Sequence, residues 1–163
     1  MDTSQIRLRP EKGSDLKFVR NLFAQTRVDV TFSALPPEQK QQFIEMQFNA
    51  QREHYRTRVP NPEFLIVEYE GRRIGRLYLS RLGDELRVVD ITIDGQFRGQ
   101  GAGKTLLRAL QAEARMSGIP VTLHAEKHGN MVEYYKTLDF EVIEEKTAHF
   151  FMKWTASSSV ITS

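Results

Sequence analysis

Residues 90–107 read DITIDGQFRGQGAGKTLL, and this stretch decides the predicted fold. The β-branched run at 88–93 predicts a strand, and a loop with glycines at 95, 99, 101 and 103 follows it. The pattern then becomes helical, with an apolar face formed by Leu106, Leu107, Leu110 and Ala114. Glycines let backbone N–H groups turn toward one point, and a helix N-terminus carries partial positive charge. Strand, glycine-rich loop and helix therefore predict a phosphate cradle, with Arg98 and Lys104 beside it.

The spacing of the glycines tests two kinds of nucleotide-binding loop. A nucleoside-triphosphate loop, Gly-x-x-x-x-Gly-Lys-Thr, would need glycine at position 98, where this chain has Arg98. A dinucleotide loop, Gly-x-Gly-x-x-Gly, would need glycine at position 104 or 106, which hold Lys104 and Leu106. The loop instead spells Arg-Gly-Gln-Gly-Ala-Gly over residues 98–103, which fits neither motif.

The composition is that of an ordinary globular protein and predicts one domain. Of the 163 residues, 40% are hydrophobic and 27% are charged. A net charge of +2 gives no reason to expect nucleic acid, and the absence of cysteine excludes disulfides, thiolate metal sites and a cysteine nucleophile. No apolar run reaches the about 18 residues of a membrane span, and the polar residues 1–5 do not open a signal peptide. We therefore expect a cytoplasmic protein that does not bind membranes.

Hydrophobic periodicity and turn residues predict the order β-α-α-β-β-β-α-β-α-β-β. The strands are predicted at 6–9, 64–69, 74–80, 85–93, 121–125, 141–145 and 148–154, and the helices at 14–27, 36–55, 103–116 and 131–138. Short connections make the three strands from 64 to 93 an antiparallel meander, whereas the strand-helix-strand unit at 88–125 predicts a parallel pair. The predicted fold is thus α/β (α+β), with a mixed, mostly antiparallel sheet of about seven strands flanked by helices. Residues 1–154 form the domain, and 155–163 are expected to be a flexible tail.

The loop at 98–103 resembles the acetyl-coenzyme A loop, Arg/Gln-x-x-Gly-x-Gly/Ala, of the GCN5-related N-acetyltransferase (GNAT) superfamily. The predicted order of elements resembles the fold of this superfamily, the acyl-CoA N-acyltransferase-like fold, over about residues 5–154. A second landmark lies at 134–140, where Tyr135 and Phe140 match the end of the family pattern Asn-x-x-Ala-x-x-Leu-Tyr-x-x-x-Gly-Phe. Two positions depart from it: Asp139 replaces the glycine, and His128 stands at the asparagine position, while Asn130 lies two residues later.

This resemblance implies that acetyl-coenzyme A is the cosubstrate and that no metal takes part. The pantetheine arm is expected to pair with the backbone of Ile91, Thr92 and Ile93, where the strands at 88–93 and 121–125 separate. The resemblance gives a pantetheine contact to His128 or Asn130, between which the sequence does not choose. The pyrophosphate is expected at the loop and the first turn of the following helix, which comprise Arg98, Gly99, Gln100, Gly101, Ala102, Gly103, Lys104 and Thr105.

The chemistry needs an acid for the departing thiolate and a base for the attacking amine. Tyr135 is predicted as the acid because the resemblance places its hydroxyl near the thioester sulfur; the alternative is a buried packing residue. The family often has glutamate where this chain has Arg87, which cannot act as a base. Asp90 is therefore predicted as the base, with ion pairing to an arginine as the alternative, and His124 is the reserve candidate. The end of the second helix, His54 to Arg58, lines an acceptor site or faces solvent.

The predicted activity is acetyl transfer to a primary amine by direct attack in a ternary complex. The acceptor is expected to be a small molecule or a peptide, and the enzyme a monomer or homodimer that binds neither nucleic acid nor membrane. A non-catalytic acyl-CoA sensor on the same fold is the main alternative, and a phosphate-loop nucleotide enzyme is a weaker one. The identity of the amine cannot be read from the sequence.

Overall fold

A computed structural model describes residues 1–156; of the predicted tail, residues 157–163 lie outside the described residues. The strands are β1 (Ile6–Pro10), β2 (Pro62–Tyr69), β3 (Arg72–Arg81), β4 (Leu86–Ile93), β5 (Val121–Glu126), β6 (Glu141–Glu145) and β7 (His149–Trp154). The helices are α1 (Leu16–Gln25), α2 (Val28–Thr31), α3 (Pro37–Arg58), α4 (Ala102–Ser117) and α5 (Met131–Thr137). One-turn 3-10 helices precede β1, α1 and α4. No helix within residues 1–156 is long and apolar enough to cross a membrane.

The seven strands form one sheet in the order β1-β2-β3-β4-β5-β7-β6. β4 and β5 pair in parallel, because the crossover through α4 returns the chain in the same direction, and the other neighbouring strands pair antiparallel. The predicted fold class, a mixed and mostly antiparallel sheet of about seven strands flanked by helices, is confirmed.

The helices divide between the two faces of this sheet. α1 and α3 cover β2 and β3 on one face through Val19, Phe23, Phe48 and Ile66. α4 and α5 cover the other face, where Leu107, Tyr135 and Phe140 join the larger core with side chains from the strands. We call these the α3 face and the α4 face. Because side chains alternate along a strand, neighbouring residues of β4 and β5 point to opposite faces.

The first helices differ from the prediction in their bounds. Ser14, predicted as the cap of the first helix, lies in a 3-10 turn, and α1 begins at Leu16 after Asp15. The Asp15 carboxylate accepts a hydrogen bond from the Lys12 backbone N–H, which fixes this turn. The short helix α2 was not predicted, since four residues give no readable periodicity. α3 extends beyond the predicted end to Arg58, three residues past Tyr55.

A β-bulge in β4 determines which side chains reach the α3 face. Tyr78 pairs with Asp90 and Leu79 with Val88, so Val89 is an extra residue on β4. Val88 is buried in the core of the α4 face, and strict alternation would point Asp90 the same way. The bulge instead turns Asp90 toward α3, where its carboxylate accepts a hydrogen bond from the Tyr55 hydroxyl at 3.3 Å.

Asp15 is a buried carboxylate, only 1% exposed, that ties α1 to the first strands. Arg9 donates to both carboxylate oxygens at 2.8 and 2.9 Å, and Arg73 donates to one of them at 3.3 Å. The hydrogen bonds from Arg9 outweigh the opposing effect of burial and hold the pKa of Asp15 well below its ordinary value. This carboxylate therefore stabilises the fold only while it is ionised.

We expect Asp15→Asn to lower the free energy of unfolding by about 2–3 kcal/mol at pH 7, because it removes one of the two anionic partners of Arg9 and leaves only Glu68. A carboxyl whose pKa is lower in the folded state than in the unfolded state adds its full contribution to the free energy of unfolding above the unfolded-state pKa of about 4. This contribution is lost as the pH falls below that value. Urea unfolding at several pH values should therefore show the difference between wild type and variant shrinking below about pH 4. Asp84→Asn, at an exposed turn position, is the control; an equal loss there would contradict the assignment.

Candidate active site

β4 and β5 pair only along their first halves, which leaves an opening at their carboxyl ends. The last paired residues are Val88 and Leu123, and no pairing joins the strands beyond them. Ile91, Thr92 and Ile93 remain paired with β3 on their other side. Their edge toward β5 pairs with no strand and can hydrogen-bond an extended chain, although the Ile93 carbonyl is already engaged by Arg98. The predicted separation of the two strands matches this geometry.

The glycine-rich loop ends at the first turn of α4. Gly99 and Gly101 have φ values of +75° and +93°, which favour glycine, and Gly101 is the N-cap residue of the helix. The first bond of the helix joins the Thr105 N–H to the Gly101 carbonyl. The N–H groups of residues 102–104 have no intrahelical acceptor, as expected for a helix N-terminus. These donors and the helix dipole fit a pyrophosphate group.

The basic residues of the loop have different surroundings. Arg98 donates from Nε to the Ile93 carbonyl at 2.8 Å, so it fixes the loop against the end of β4 as well as carrying charge. Gln25, at the end of α1, accepts from the Gly95 N–H at 2.9 Å and holds the same loop. Lys104 is exposed in the first turn of α4. Arg98 therefore holds the loop in position in addition to carrying positive charge, while Lys104 projects into solvent beside the cradle.

Tyr134 and Tyr135 occupy different environments on α5. The Tyr134 hydroxyl lies against the first turn of α4, 3.4 Å from the position that a Cβ on Gly103 would take. Tyr135 is only 6% exposed and packs edge-on against Phe140. Burial, together with nearby Tyr134 and Asp90, raises the pKa of Tyr135. Tyr135 therefore keeps its proton at neutral pH, and it approaches the sheet from the α4 face.

Asp139 explains one departure from the family pattern. Its φ of +70° is the left-handed conformation that glycine would adopt at the end of α5, and aspartate tolerates it better than most residues. Arg108 donates to its carboxylate at 3.0 Å, and the same guanidinium donates to Gln111 at 2.9 Å. Gln111 in turn donates to the Leu138 carbonyl. The aspartate that replaces the glycine thus also links the end of α5 to α4.

His128 and Asn130 both lie in the exposed connection from β5 to α5. Asn130 is the residue before the first turn of α5, and its side chain makes no capping hydrogen bond. Its amide is thus free for a ligand, and the imidazole of His128 is exposed as well. Both residues follow the carboxyl end of β5, the strand that borders the opening, and the structure does not choose between them.

Asp90 sits in a polar cluster on the α3 face. Its carboxylate accepts hydrogen bonds from Arg76 Nη2 at 2.8 Å, Thr92 Oγ1 at 2.7 Å and Tyr55 at 3.3 Å. Arg76 is only 1% exposed, and its Nη2 also donates to Gln51 at 3.0 Å. This ion pair is the alternative that the sequence left open for Asp90. Three neighbouring side chains thus already donate hydrogen bonds to this carboxylate.

The opening thus has candidate groups on both faces. Asp90 and the reserve candidate His124 lie on the α3 face, and Tyr135 lies on the α4 face beside the phosphate cradle. The sequence did not single out Arg76, Gln51 or Gln25, because a polar residue within a strand or helix gives no sign of its partner. Tyr55 belongs to the segment predicted to line an acceptor site or to face solvent. Within residues 1–156, no group of three His, Cys, Asp or Glu side chains could hold a metal.

One known protein family matches the sequence of this chain. The family model described as acetyltransferase (GNAT) domain matches residues 32–156, which is more than half of the chain. The chain belongs to the GNAT acetyltransferase family. A search of curated proteins gave no significant match.

Solved structures agree with this family assignment at the level of fold. PaiA N-acetyltransferase from Thermoplasma acidophilum, in complex with coenzyme A, has a TM-score of 0.68 at 14% identity, covering 93% of this chain and 99% of that chain. A spermidine N-acetyltransferase SpeG chimera from Vibrio cholerae and hSSAT has a TM-score of 0.60 at 21% identity, covering 93% and 95%. Arabidopsis thaliana Naa50, bound to the bisubstrate analogue CoA-Ac-MVNAL, has a TM-score of 0.59 at 12% identity, covering 93% and 99%.

Family membership confirms three of the predictions. The superfamily proposed from the 98–103 loop is the family that matches, and this GNAT protein is an acyltransferase with acetyl-coenzyme A as its cosubstrate. The roles of individual residues and the identity of the acceptor remain predictions.

Proposed function

We propose that this GNAT protein transfers the acetyl group of acetyl-coenzyme A directly to a primary amine within a ternary complex. The observation that carries the proposal is the opening between β4 and β5, where pairing ends at Val88 and Leu123. The cradle at the start of α4 lies on one face of this opening, and the polar cluster around Asp90 lies on the other. Cosubstrate and acceptor can therefore enter from opposite faces and meet in the opening.

The residues of the opening divide the chemistry between the two faces. The free edge of Ile91, Thr92 and Ile93 hydrogen-bonds the amides of the pantetheine arm and holds the thioester in place. Tyr135 donates its hydroxyl proton toward the departing sulfur, because burial keeps that hydroxyl protonated. Asp90 attracts the protonated amine by its negative charge. The ion pair with Arg76 makes this electrostatic role better suited to Asp90 than the role of base predicted for it.

The acceptor proposed is a small-molecule or peptide amine. Among the proteins of similar fold, one is named for spermidine and another is bound to an analogue containing the peptide MVNAL. A small pocket beside Asp90, lined by Tyr55, Phe64, Tyr78 and the charged Glu11, Arg52 and Arg56, offers aromatic walls for such a group. We propose that the enzyme works in the cytoplasm as a monomer or homodimer, and that it acts on neither nucleic acid nor membranes.

A panel of amines scored for coenzyme A release tests this function. The panel should contain polyamines, free amino acids, aminoglycosides and peptides with free N-termini, each with acetyl-coenzyme A and the wild-type chain. Mass spectrometry of the acceptor should show a gain of one acetyl group equal in amount to the coenzyme A released. Tight acetyl-coenzyme A binding with no transfer to any amine would instead favour the non-catalytic sensor.

Binding of the cosubstrate should depend on charge at the cradle. We expect raised salt to weaken coenzyme A binding, because ions screen the attraction between phosphates and the exposed Lys104. Lys104→Met should lower the affinity a few-fold and reduce its salt dependence. Lys17→Met should do neither, because Lys17 lies at the opposite end of α1 from Gln25, which contacts the loop. Isothermal titration with coenzyme A and with dephospho-coenzyme A separates the phosphates: equal affinities would exclude a basic contact to the ribose phosphate and leave the pyrophosphate cradle standing.

A further inference from the structure

His124 lies at the point where β4 and β5 separate. Leu123 is the last residue of β5 that pairs with β4, and its side chain is buried in the core of the α4 face. His124 is the next residue, so its ring points to the α3 face, the same face as Asp90. β5 remains paired with β7 here, with His124 opposite Phe151, so the position of the ring is fixed by the sheet. His124 therefore stands across the opening from the polar cluster of β4.

The ring of His124 is held by an aromatic contact and an ammonium group. It packs against Phe151 with ring centroids 5.0 Å apart. The Nζ atom of Lys146, in the turn between β6 and β7, lies 3.3 Å from His124 Nε2. A protonated lysine can only donate, so Nε2 accepts, and in the neutral ring the proton is on Nδ1. In the resting arrangement the lone pair of Nε2 is therefore engaged by Lys146, and this exposed lysine must move away before Nε2 can accept another proton.

We propose that His124 is the group that takes the proton from the attacking amine, and that Lys146 is a positioning residue that keeps His124 in its neutral form. This inference rests on the proposed acetyl transfer and assigns a residue to its proton-transfer step. Bonds and protons balance in this step. The bound ammonium first loses one proton to water, and the neutral amine nitrogen then bonds to the thioester carbon as the carbon–sulfur bond breaks. The second proton of nitrogen goes to His124 Nε2 as the exposed Lys146 ammonium moves away from it, and the sulfur takes the Tyr135 hydroxyl proton. The exposed imidazolium then gives its proton to water, and Tyr135 regains one.

Charges around His124 favour its neutral form. Burial, Lys146, Arg87 on β4 and His149 on β7 lower the pKa of His124 below its ordinary value, and Glu144 on β6 opposes them. Asp90 and Glu126 lie on the same face, and Arg87 is itself engaged by Glu85 at 2.9 Å and by Thr122 at 2.9 Å. A histidine of lowered pKa is mostly neutral at pH 7, whereas Asp90 accepts three hydrogen bonds and pairs with Arg76.

The first arm of the test compares His124→Gln with the matched control His149→Gln on the adjacent strand. With an amine that the wild type acetylates, we expect His124→Gln to lower kcat about a hundredfold, the usual scale for a lost proton acceptor. The acid limb of kcat/KM, below about pH 6.5 in the wild type, should disappear in His124→Gln and remain in His149→Gln. Acetyl-coenzyme A affinity should be unchanged in both variants.

The second arm uses Lys146→Met and does not depend on turnover alone. Removing the ammonium removes its repulsion of the imidazolium, so the pKa of His124 should rise. NMR titration of the His124 ring should show this rise, and the acid limb should move to higher pH by the same amount. The loss of activity relative to wild type should therefore be larger at pH 6 than at pH 8.5.

Two results would overturn the inference while leaving acetyl transfer intact. One is a His124→Gln variant with wild-type kcat and an intact acid limb, especially if Asp90→Asn removes that limb. The other is a His124 ring whose pKa does not change in Lys146→Met. A wild-type chain that acetylates no amine would instead remove the proposed function, and this inference with it.

Discussion

Tyr135→Phe should lower turnover by about a hundredfold while acetyl-coenzyme A still binds. The substitution removes one hydroxyl and keeps the ring that packs against Phe140, so the fold should tolerate it. If the hydroxyl serves the departing thiolate, its loss should appear in kcat at saturating amine, on the scale of a lost general acid. Steady-state kinetics with the best amine of the panel, together with calorimetry for acetyl-coenzyme A, separates catalysis from binding.

The pH profile gives a second readout for Tyr135. From the sequence alone, an alkaline limb near pH 10, the ordinary pKa of tyrosine, would be expected. Burial raises the pKa of Tyr135 above that value, so no alkaline loss due to this residue should appear below about pH 10. Tyr134→Phe is the matched control, since its neighbouring ring is less buried and lies against α4. A Tyr135→Phe enzyme with wild-type kcat would reduce the residue to packing beside the thioester.

Gly101→Val should weaken coenzyme A binding by more than tenfold. Gly101 has a φ of +93° and caps the N-terminus of α4, and a branched side chain there would stand where a pyrophosphate approaches the N–H groups. The nearest atom to a new Cβ is Thr3 Cγ2 at 3.6 Å, so the protein itself has room for it. The loss should therefore come from the ligand side and from backbone strain at the cap.

Gly118→Val provides the control for that strain. Gly118 lies at the opposite end of the same helix with a φ of +68°, and no atom lies within 4 Å of the position that a Cβ would take there. Both variants should lose about 1–3 kcal/mol of stability in urea unfolding, the usual cost of such strain. Calorimetry should show weaker binding for Gly101→Val alone. Equal affinities of the two variants would place the cradle elsewhere.

The sequence was sufficient for the fold because its signals were local. A short stretch of sequence is enough to recognise each of three features: the glycine-rich loop, the hydrophobic period of α4 and the left-handed C-cap at Gly118. The parallel pairing of β4 and β5 followed from one rule of handedness and the length of the crossover. Two helix predictions were wrong. Helix α2 was missed because its four residues are too short to show a hydrophobic period. The start of α1 was misplaced because the hydrogen bond between Asp15 and Lys12 fixes a 3-10 turn before it.

The site was only partly predictable because its partners are distant in sequence. Asp90 and Tyr135 are visible as candidates, but the pairing of Asp90 with Arg76 and its contact with Tyr55 depend on how β3 and α3 pack. Arg76 reads as one more charge in a hairpin strand, yet it is almost completely buried. The contact between His124 and Lys146 joins β5 to a turn that strand periodicity alone does not place beside it.

The extra residue Val89 decides which single-residue deletions β4 can accept. Deleting Val89 would join Val88 directly to Asp90, and simple alternation would then keep Val88 on the α4 face and Asp90 on the α3 face. Deleting Ile91, beyond the bulge, would instead direct Thr92 into the apolar interior, because every later side chain of β4 would change face. We therefore expect the chain that lacks Val89 to fold and the chain that lacks Ile91 to be destabilised. Length variation among functional descendants of this chain is expected at the bulge and not in the last residues of β4.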